Sequence, residues 1–199
     1  PARTPAGLPS AGECSYSPYY CDANQVCGQW CPELDVMEAN THALAATPHK
    51  CDSASEMGHY SNCDRSGCGQ TTVTLGGNVY GPGSNFQINT LLPFTVSATF
   101  HGDELQQTFT GITTRLQQGA KEVVLRSCDG YTNGMAAAMA EGMAVRITYW
   151  GSDAKTMQWL DEPPCGKQKC GGSNAGNATI SRIKVTPAMS VRPTPEEPP

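Results

Sequence analysis

Hydrophobic and polar residues alternate with a period of two over residues 71–75, 86–89, 94–100, 105–109, 122–125, 145–149 and 179–185. Such alternation sends successive side chains to opposite faces and predicts half-buried β-strands. Turn signals separate the segments, among them Gly76-Gly77-Asn78 and Gly81-Pro82-Gly83. One stretch breaks the pattern: residues 133–141 are rich in Ala and Met and are closed by Gly142, which predicts a single short helix with a glycine at its C-terminal end. The expected architecture is an all-β antiparallel sandwich with one short helix. Residues 1–13 and 188–199 are rich in Pro, Ala, Ser, Thr and Glu without periodicity and read as tails around one domain, 14–187.

Composition narrows the partners. Of 199 residues only 16% are charged and the formal net charge is −5, with no run of Lys and Arg. That excludes the electrostatic footprint of a nucleic-acid binder or of a protein held on an acidic membrane surface. No apolar run is long enough to cross a bilayer, and the chain starts at Pro1 without a basic-then-apolar leader, as expected of a secreted chain whose signal peptide has been removed. Ten cysteines, an even number, point to disulfides and an oxidising compartment. His59, Cys63 and Cys68 offer a zinc alternative, but their spacing lacks the close-set pairs of a zinc ribbon, so no metal or other cofactor is expected. Asn177 heads a glycosylation sequon, Asn-Ala-Thr.

The candidate chemistry lies in Cys31-Pro-Glu-Leu-Asp-Val-Met-Glu-Ala-Asn40, which sets three carboxylates within six residues. In a regular strand Glu33 and Asp35 share one face while Leu34 and Val36 point into a core. Glu38 then falls on the apolar face, where an unpaired carboxylate is costly. A bend or bulge near Met37 is therefore expected, a device that re-aims side chains beside active sites. Two carboxyl groups brought to one cleft suit a retaining glycosidase, which needs them about 5 Å apart. A calcium site and a solvated acidic strand remain as alternatives.

The flanking residues add a resemblance. Glu33-x-Asp35-x-x-Glu38-Ala39-Asn40 followed by Thr47-Pro48-His49-x-Cys51 resembles the active-site signature of glycoside hydrolase family 7, the fungal-type cellobiohydrolases and endoglucanases. Tyr20-Cys21-Asp22, Tyr80-Gly-Pro-Gly-Ser84-x-Phe86, and Trp150 with Trp159-Leu160-Asp161 are similar to further segments of that family. The resemblance implies a curved, concanavalin-like β-sandwich that binds a β-1,4-glucan on its concave face, with no cofactor. It implies Glu33 as nucleophile, Asp35 as its assistant, Glu38 as acid/base, His49 as a polar neighbour and Asp22 close to the nucleophile, with Tyr20 and Asp22 among the glucan-binding residues. It also implies disulfides Cys51–Cys63, Cys68–Cys128 and Cys21–Cys31; for the other four cysteines, whose pairing it does not give, Cys14 with Cys27 and Cys165 with Cys170 are the expected pairs.

In residues 145–150 alternation places Arg146, Thr148 and Trp150 on one polar face and Val145, Ile147 and Tyr149 on the other. Indole rings pack on the apolar faces of pyranose rings, so Trp150 and Trp159 are candidate glucose platforms, with Arg146 and Thr148 beside them. A core role for both tryptophans is the alternative.

The resemblance covers only the second half of a typical catalytic domain of the family. A fragment of a longer enzyme, a chain completed by a partner or missing N-terminal half, and a minimal sandwich all fit that extent. Met37 stands where the family has tryptophan, and the segments after His49 and Trp159 are short, which implies an open cleft. The expected function is a secreted, retaining endo-β-1,4-glucanase acting on cellulose or a related glucan. Exo action of the cellobiohydrolase type, a non-catalytic glucan-binding protein, and a cysteine-rich structural module are the rival expectations.

Overall fold

The structure is a computed structural model that describes residues 20–103, 105–151, 155–161 and 178–186. Its described strands form three sheets. The first has the order β1-β2-β3, with β1 Glu33–Ala39, β2 Leu44–His49 and β3 Gln70–Thr71. A two-stranded parallel pair joins β4 Tyr80–Gly81 to β5 Ile88–Asn89. The third sheet is an antiparallel meander of β6 Thr95–Asp103, β7 Thr108–Gln118 and β8 Lys121–Arg126. A 3₁₀ turn at Tyr131–Met135 leads into the helix α1, Ala136–Glu141, which ends at Gly142 with φ 90°. A second helical turn, α2 Gln158–Asp161, was not expected from the sequence.

The all-β reading holds, with these short helical pieces added. The sheets face each other across a shared core. Leu44 and Ala46 of β2 meet Tyr80, Ile88, Leu116, Val123 and Leu125, all buried. Beside it, Leu34 and Val36 of β1 pack against Phe109, Ile112 and Met135, so the even-numbered face of β1 does point inward before the strand bends. The Thr114 hydroxyl adds a polar tie across the sheets, donating to the Val36 carbonyl at 3.4 Å.

The β1–β2 connection is fixed by its own residues. Asn40 Oδ1 accepts from the amides of His42 and Ala43 at 2.7 and 2.9 Å, folding a tight turn. The Tyr80 hydroxyl donates to the Asn40 carbonyl at 2.9 Å, and Thr90 Oγ1 donates to the Thr41 carbonyl at 2.7 Å. This turn is thereby tied to the second sheet.

Several expectations change. Strand β2 was not foreseen because both of its faces are covered, which erases alternation. Strand β7 continues well beyond residue 109, while the 71–75 segment keeps one ladder residue, Thr71, and the 86–89 segment two, Ile88 and Asn89. Residues 145–149 and 179–185 are not strands but coil, with Val145 88% and Val185 88% exposed. Alternation specifies which face a strand would bury, but a strand exists only where a neighbour completes its hydrogen-bond ladder. Among the described residues no strand pairs with either segment.

The core and the coil predict opposite mutational costs. Leu116→Ala should destabilise the chain by about 2–5 kcal/mol through the cavity it leaves, whereas Val145→Ser should stay within about 0.5 kcal/mol. Urea unfolding of the two variants beside the parent checks this.

Candidate active site

Strand pairing sets the geometry of the carboxylates. In the β1–β2 ladder Glu33 faces His49 and Asp35 faces Thr47, but the register then slips, so that Glu38 faces Ala45. Three steps along β1 thus match two along β2, the signature of a β-bulge, and it lies where Glu38 would otherwise have pointed into the core. Paired residues of an antiparallel ladder share a face. Glu33, Asp35 and Glu38 consequently lie with Ala45, Thr47 and His49 on one side of the sheet, opposite the core-facing Leu34 and Leu44. Met37 sits at the irregularity and is 46% exposed, so it does not pack beneath the carboxylates.

The carboxylates interact. Burial first, and then the charge of Asp35, pushes the Glu33 carboxyl up to about 7, against a partial offset from the Ala23 amide. Burial and the same Asp35 charge push Glu38 up to about 8, with His49 opposing. Both carboxyls thus hold their protons well above the ordinary carboxylate range, and the protons leave in two steps that belong to the pair.

Two loops hold the strand end. The Cys21–Cys31 disulfide closes a loop in which Asp22, 4% exposed, accepts from the amides of Asn24 and Val26 at 3.0 Å each through one carboxylate oxygen. That fold presents the Ala23 N–H to Glu33 Oε2 at 3.1 Å. The Tyr20 hydroxyl bonds to Asp22, and burial with the surrounding carboxylates drives its ionisation out of reach. Arg146 stacks over the Tyr20 ring at 5.7 Å.

On the other side, His49 Nε2 lies 3.1 Å from Asp35 Oδ2, and Nδ1 lies 3.0 Å from the Asp64 carbonyl. Burial alone would lower the imidazole's pKa. The hydrogen bond and charge of Asp35, with the Asp64 carbonyl, overcome it and push the group up to about 9.

The remaining expected residues are distributed unevenly. Trp159 lies on α2, half exposed, while Met157 and Leu160 of the same segment pack on Ala43 and Ala45. Because Ala45 is the ladder partner of Glu38, α2 sits at the Glu38 end of the carboxylate face. Trp150 is 54% exposed in coil, as are Arg146 and Thr148, so neither tryptophan belongs to the core. Disulfides join Cys21 to Cys31, Cys51 to Cys63 and Cys68 to Cys128, which leaves Cys63 and Cys68 without thiolates for a metal. Cys27 is also disulfide-bonded. Cys14, Cys165, Cys170 and the sequon residue Asn177 lie outside the described residues. Sequence reasoning missed Asp64 and Tyr131, whose contact spans 67 positions and carries no local signature.

The bulged strand thus turns three carboxylates to one face of a β-sandwich. The chain belongs to glycosyl hydrolase family 7, whose profile matches residues 15–127, more than half of its length. It is similar to the endo-β-1,4-glucanase celB of Emericella nidulans, 28% identical over 83% of this chain and 50% of that protein. Endoglucanase 1 of Humicola insolens is likewise 28% identical, over 74% of this chain and 46% of the relative. In fold the chain resembles a family 7 cellobiohydrolase from Daphnia pulex, at a TM-score of 0.51 and 22% identity over 72% of this chain and 45% of the other. The chain spans about half the length of the curated relatives it matches.

The raised groups predict how stability follows pH. Glu33, Glu38 and His49 all hold their protons more tightly when folded than their ordinary values allow. The folded chain therefore binds protons that the unfolded chain has released, so their contribution to stability is present at low pH and is lost as pH rises through about 7 to 9. The melting temperature should fall from about pH 5 to 8, and Glu38→Gln should flatten that fall by stabilising the chain at the alkaline end. Scanning calorimetry across this range checks the sign.

Proposed function

We propose that this chain carries the reacting carboxylates of a secreted, retaining endo-β-1,4-glucanase. The observation that carries the reading is the bulge in β1, which sets Glu38 on the face of Glu33 and Asp35. Glu33 attacks the anomeric carbon and forms a glycosyl-enzyme bond while Glu38 gives its proton to the departing glycosidic oxygen. Glu38, now ionised, takes a proton from water. That water attacks the same carbon and releases Glu33, leaving the product with retained configuration. The raised carboxyls support a division of roles, since the nucleophile must be ionised while the acid is protonated, and an interacting pair passes through a singly protonated state. Asp35, paired with His49, steadies the nucleophile.

Relatives named as endoglucanases support internal cleavage of cellulose or a related β-glucan, and the disulfides support an extracellular setting. Tyr20, Asp22, Arg146, Thr148, Trp150 and Trp159 are the proposed glucan-binding residues, two of them exposed indoles. The cleft is completed by a further half of the protein or by a partner chain, which accords with the unpaired, exposed 145–150 segment. The chain's span of about half the length of these relatives, with Met37 in place of a tryptophan, motivates the second reading, a glucan-binding protein without catalysis.

Incubation of the disulfide-intact chain with a soluble β-1,4-glucan should release reducing ends that are β-configured by NMR. Glu33→Gln should lower the rate at least about a thousandfold with the fold intact. An unchanged rate would reassign the nucleophile, and tight cello-oligosaccharide binding without release would favour the second reading. The pH profile should be bell-shaped, with an acid limb near 7 and an alkaline limb near 8 set by the Glu33 and Glu38 pair. Initial rates from about pH 5 to 9 decide this.

A further inference from the structure

The Asp64 side chain makes no contact with the β1 carboxylates, yet three donors converge on it. Tyr131 Oη donates to Oδ2 at 2.7 Å, and the amides of Ser66 and Gly67 donate to Oδ1 at 3.1 and 3.2 Å. These bonds fold residues 64–67 into a turn that leaves the Asp64 carbonyl 3.0 Å from His49 Nδ1. The turn is pressed onto the histidine: a β-carbon at Gly67, whose φ is +61°, would lie 2.7 Å from Nδ1 and 2.6 Å from the Pro48 carbonyl oxygen. Only glycine fits there. The Cys68–Cys128 disulfide then ties the end of the turn to the segment that leads into Tyr131. Lys50, next to His49, stacks over the Tyr131 ring at 4.8 Å and donates its amide to Tyr131 Oη at 3.3 Å.

We propose that Asp64 and Tyr131 are positioning residues of the active site: the Tyr131 hydroxyl locks the Asp64 turn, and the Asp64 carbonyl thereby fixes a proton on His49 Nδ1. A carbonyl oxygen can only accept, so Nδ1 must be the donor. Nε2 is left facing Asp35, and one further proton has to lie between that nitrogen and Oδ2. Whichever atom holds it, the His49–Asp35 pair carries no net charge beside Glu33 and Glu38. Without the lock, Nδ1 is free to lose its proton while Nε2–H still serves Asp35. The pair then becomes an anion, which raises both glutamates further. The groups that face His49 are Glu33, Asp35 and Glu38 from β1 and Asp64 from the turn, all acidic, so the lock supports the one cation among them.

The inference rests on the glucanase reading for its chemical purpose, but its first test does not. Side-chain ¹H–¹⁵N NMR of the intact, oxidised chain reports the tautomer and titration of each histidine, with His49 assigned by its absence in His49→Asn. In the parent, both ring nitrogens of His49 should stay protonated to about pH 9. In Tyr131→Phe its pKa should fall by about half to one unit, and Asp64→Asn, which also removes a charge, should lower it further. The spectra are read on folded species, so a loss of stability does not mask the shift. An unchanged His49 titration in both variants overturns the proposal. Hydrolysis is the second readout: each variant should lower kcat with KM held and move the acid limb upward, and an unmoved acid limb in an active enzyme counts against it. A parent without hydrolysis whose His49 still responds to both variants counts against hydrolysis by this chain alone and leaves the positioning role standing.

Discussion

An antiparallel ladder enforces parity: residues an even number of steps apart share a face, and residues an odd number apart do not. Glu33 and Glu38 are five apart, so in a regular strand one of them would enter the packing of Leu34 and Val36 against Phe109 and Ile112. A bare carboxylate there costs far more than the ladder bond that a bulge gives up. The register slip between Asp35 and Glu38 resolves the conflict, and the placement of every other group in the site follows from it. The even side of the strand keeps its core, while the odd side gathers three acids opposite Ala45, Thr47 and His49.

Gathering acids creates a second problem, since like charges in a half-buried site repel. The structure answers with protons and dipoles. Glu33 takes the Ala23 amide, offered by a loop that Asp22 folds and the Cys21–Cys31 bond closes. Asp35 takes His49, whose far side is held by the Asp64 turn. What repulsion remains falls on Glu33 and Glu38, which both hold their protons well above the ordinary carboxylate range. Support thus comes from residues placed before β1 in sequence and from residues long after it, joined through two disulfides.

Legibility in the sequence followed the range of the interaction. The bulge could be anticipated because the contradiction at Glu38 is local, contained in six residues. The core face of β1 and the helix ending at Gly142 were equally local. Strand β2 was opaque because burial on both faces leaves no periodic signal, and 145–149 and 179–185 were misread because alternation reports a face and says nothing of a ladder partner. The disulfide partners followed from the family resemblance, as spacing alone permits many pairings. Tyr131 and Asp64 were invisible: each is an ordinary polar residue until the chain folds and sets one against the other.

Met37 adds a last point. Its side chain faces solvent at the slip, so the strand uses its presence and makes little use of its kind. Exchange of this residue for another leaves the count of positions, and hence the parity of Glu38, untouched. Loss of the residue removes the extra position: Glu38 then stands four steps from Glu33, and a regular ladder keeps it opposite Ala45 on the carboxylate face. In the gene, then, this codon tolerates missense changes, and an in-frame loss of three bases would straighten the strand while leaving the acid on its side.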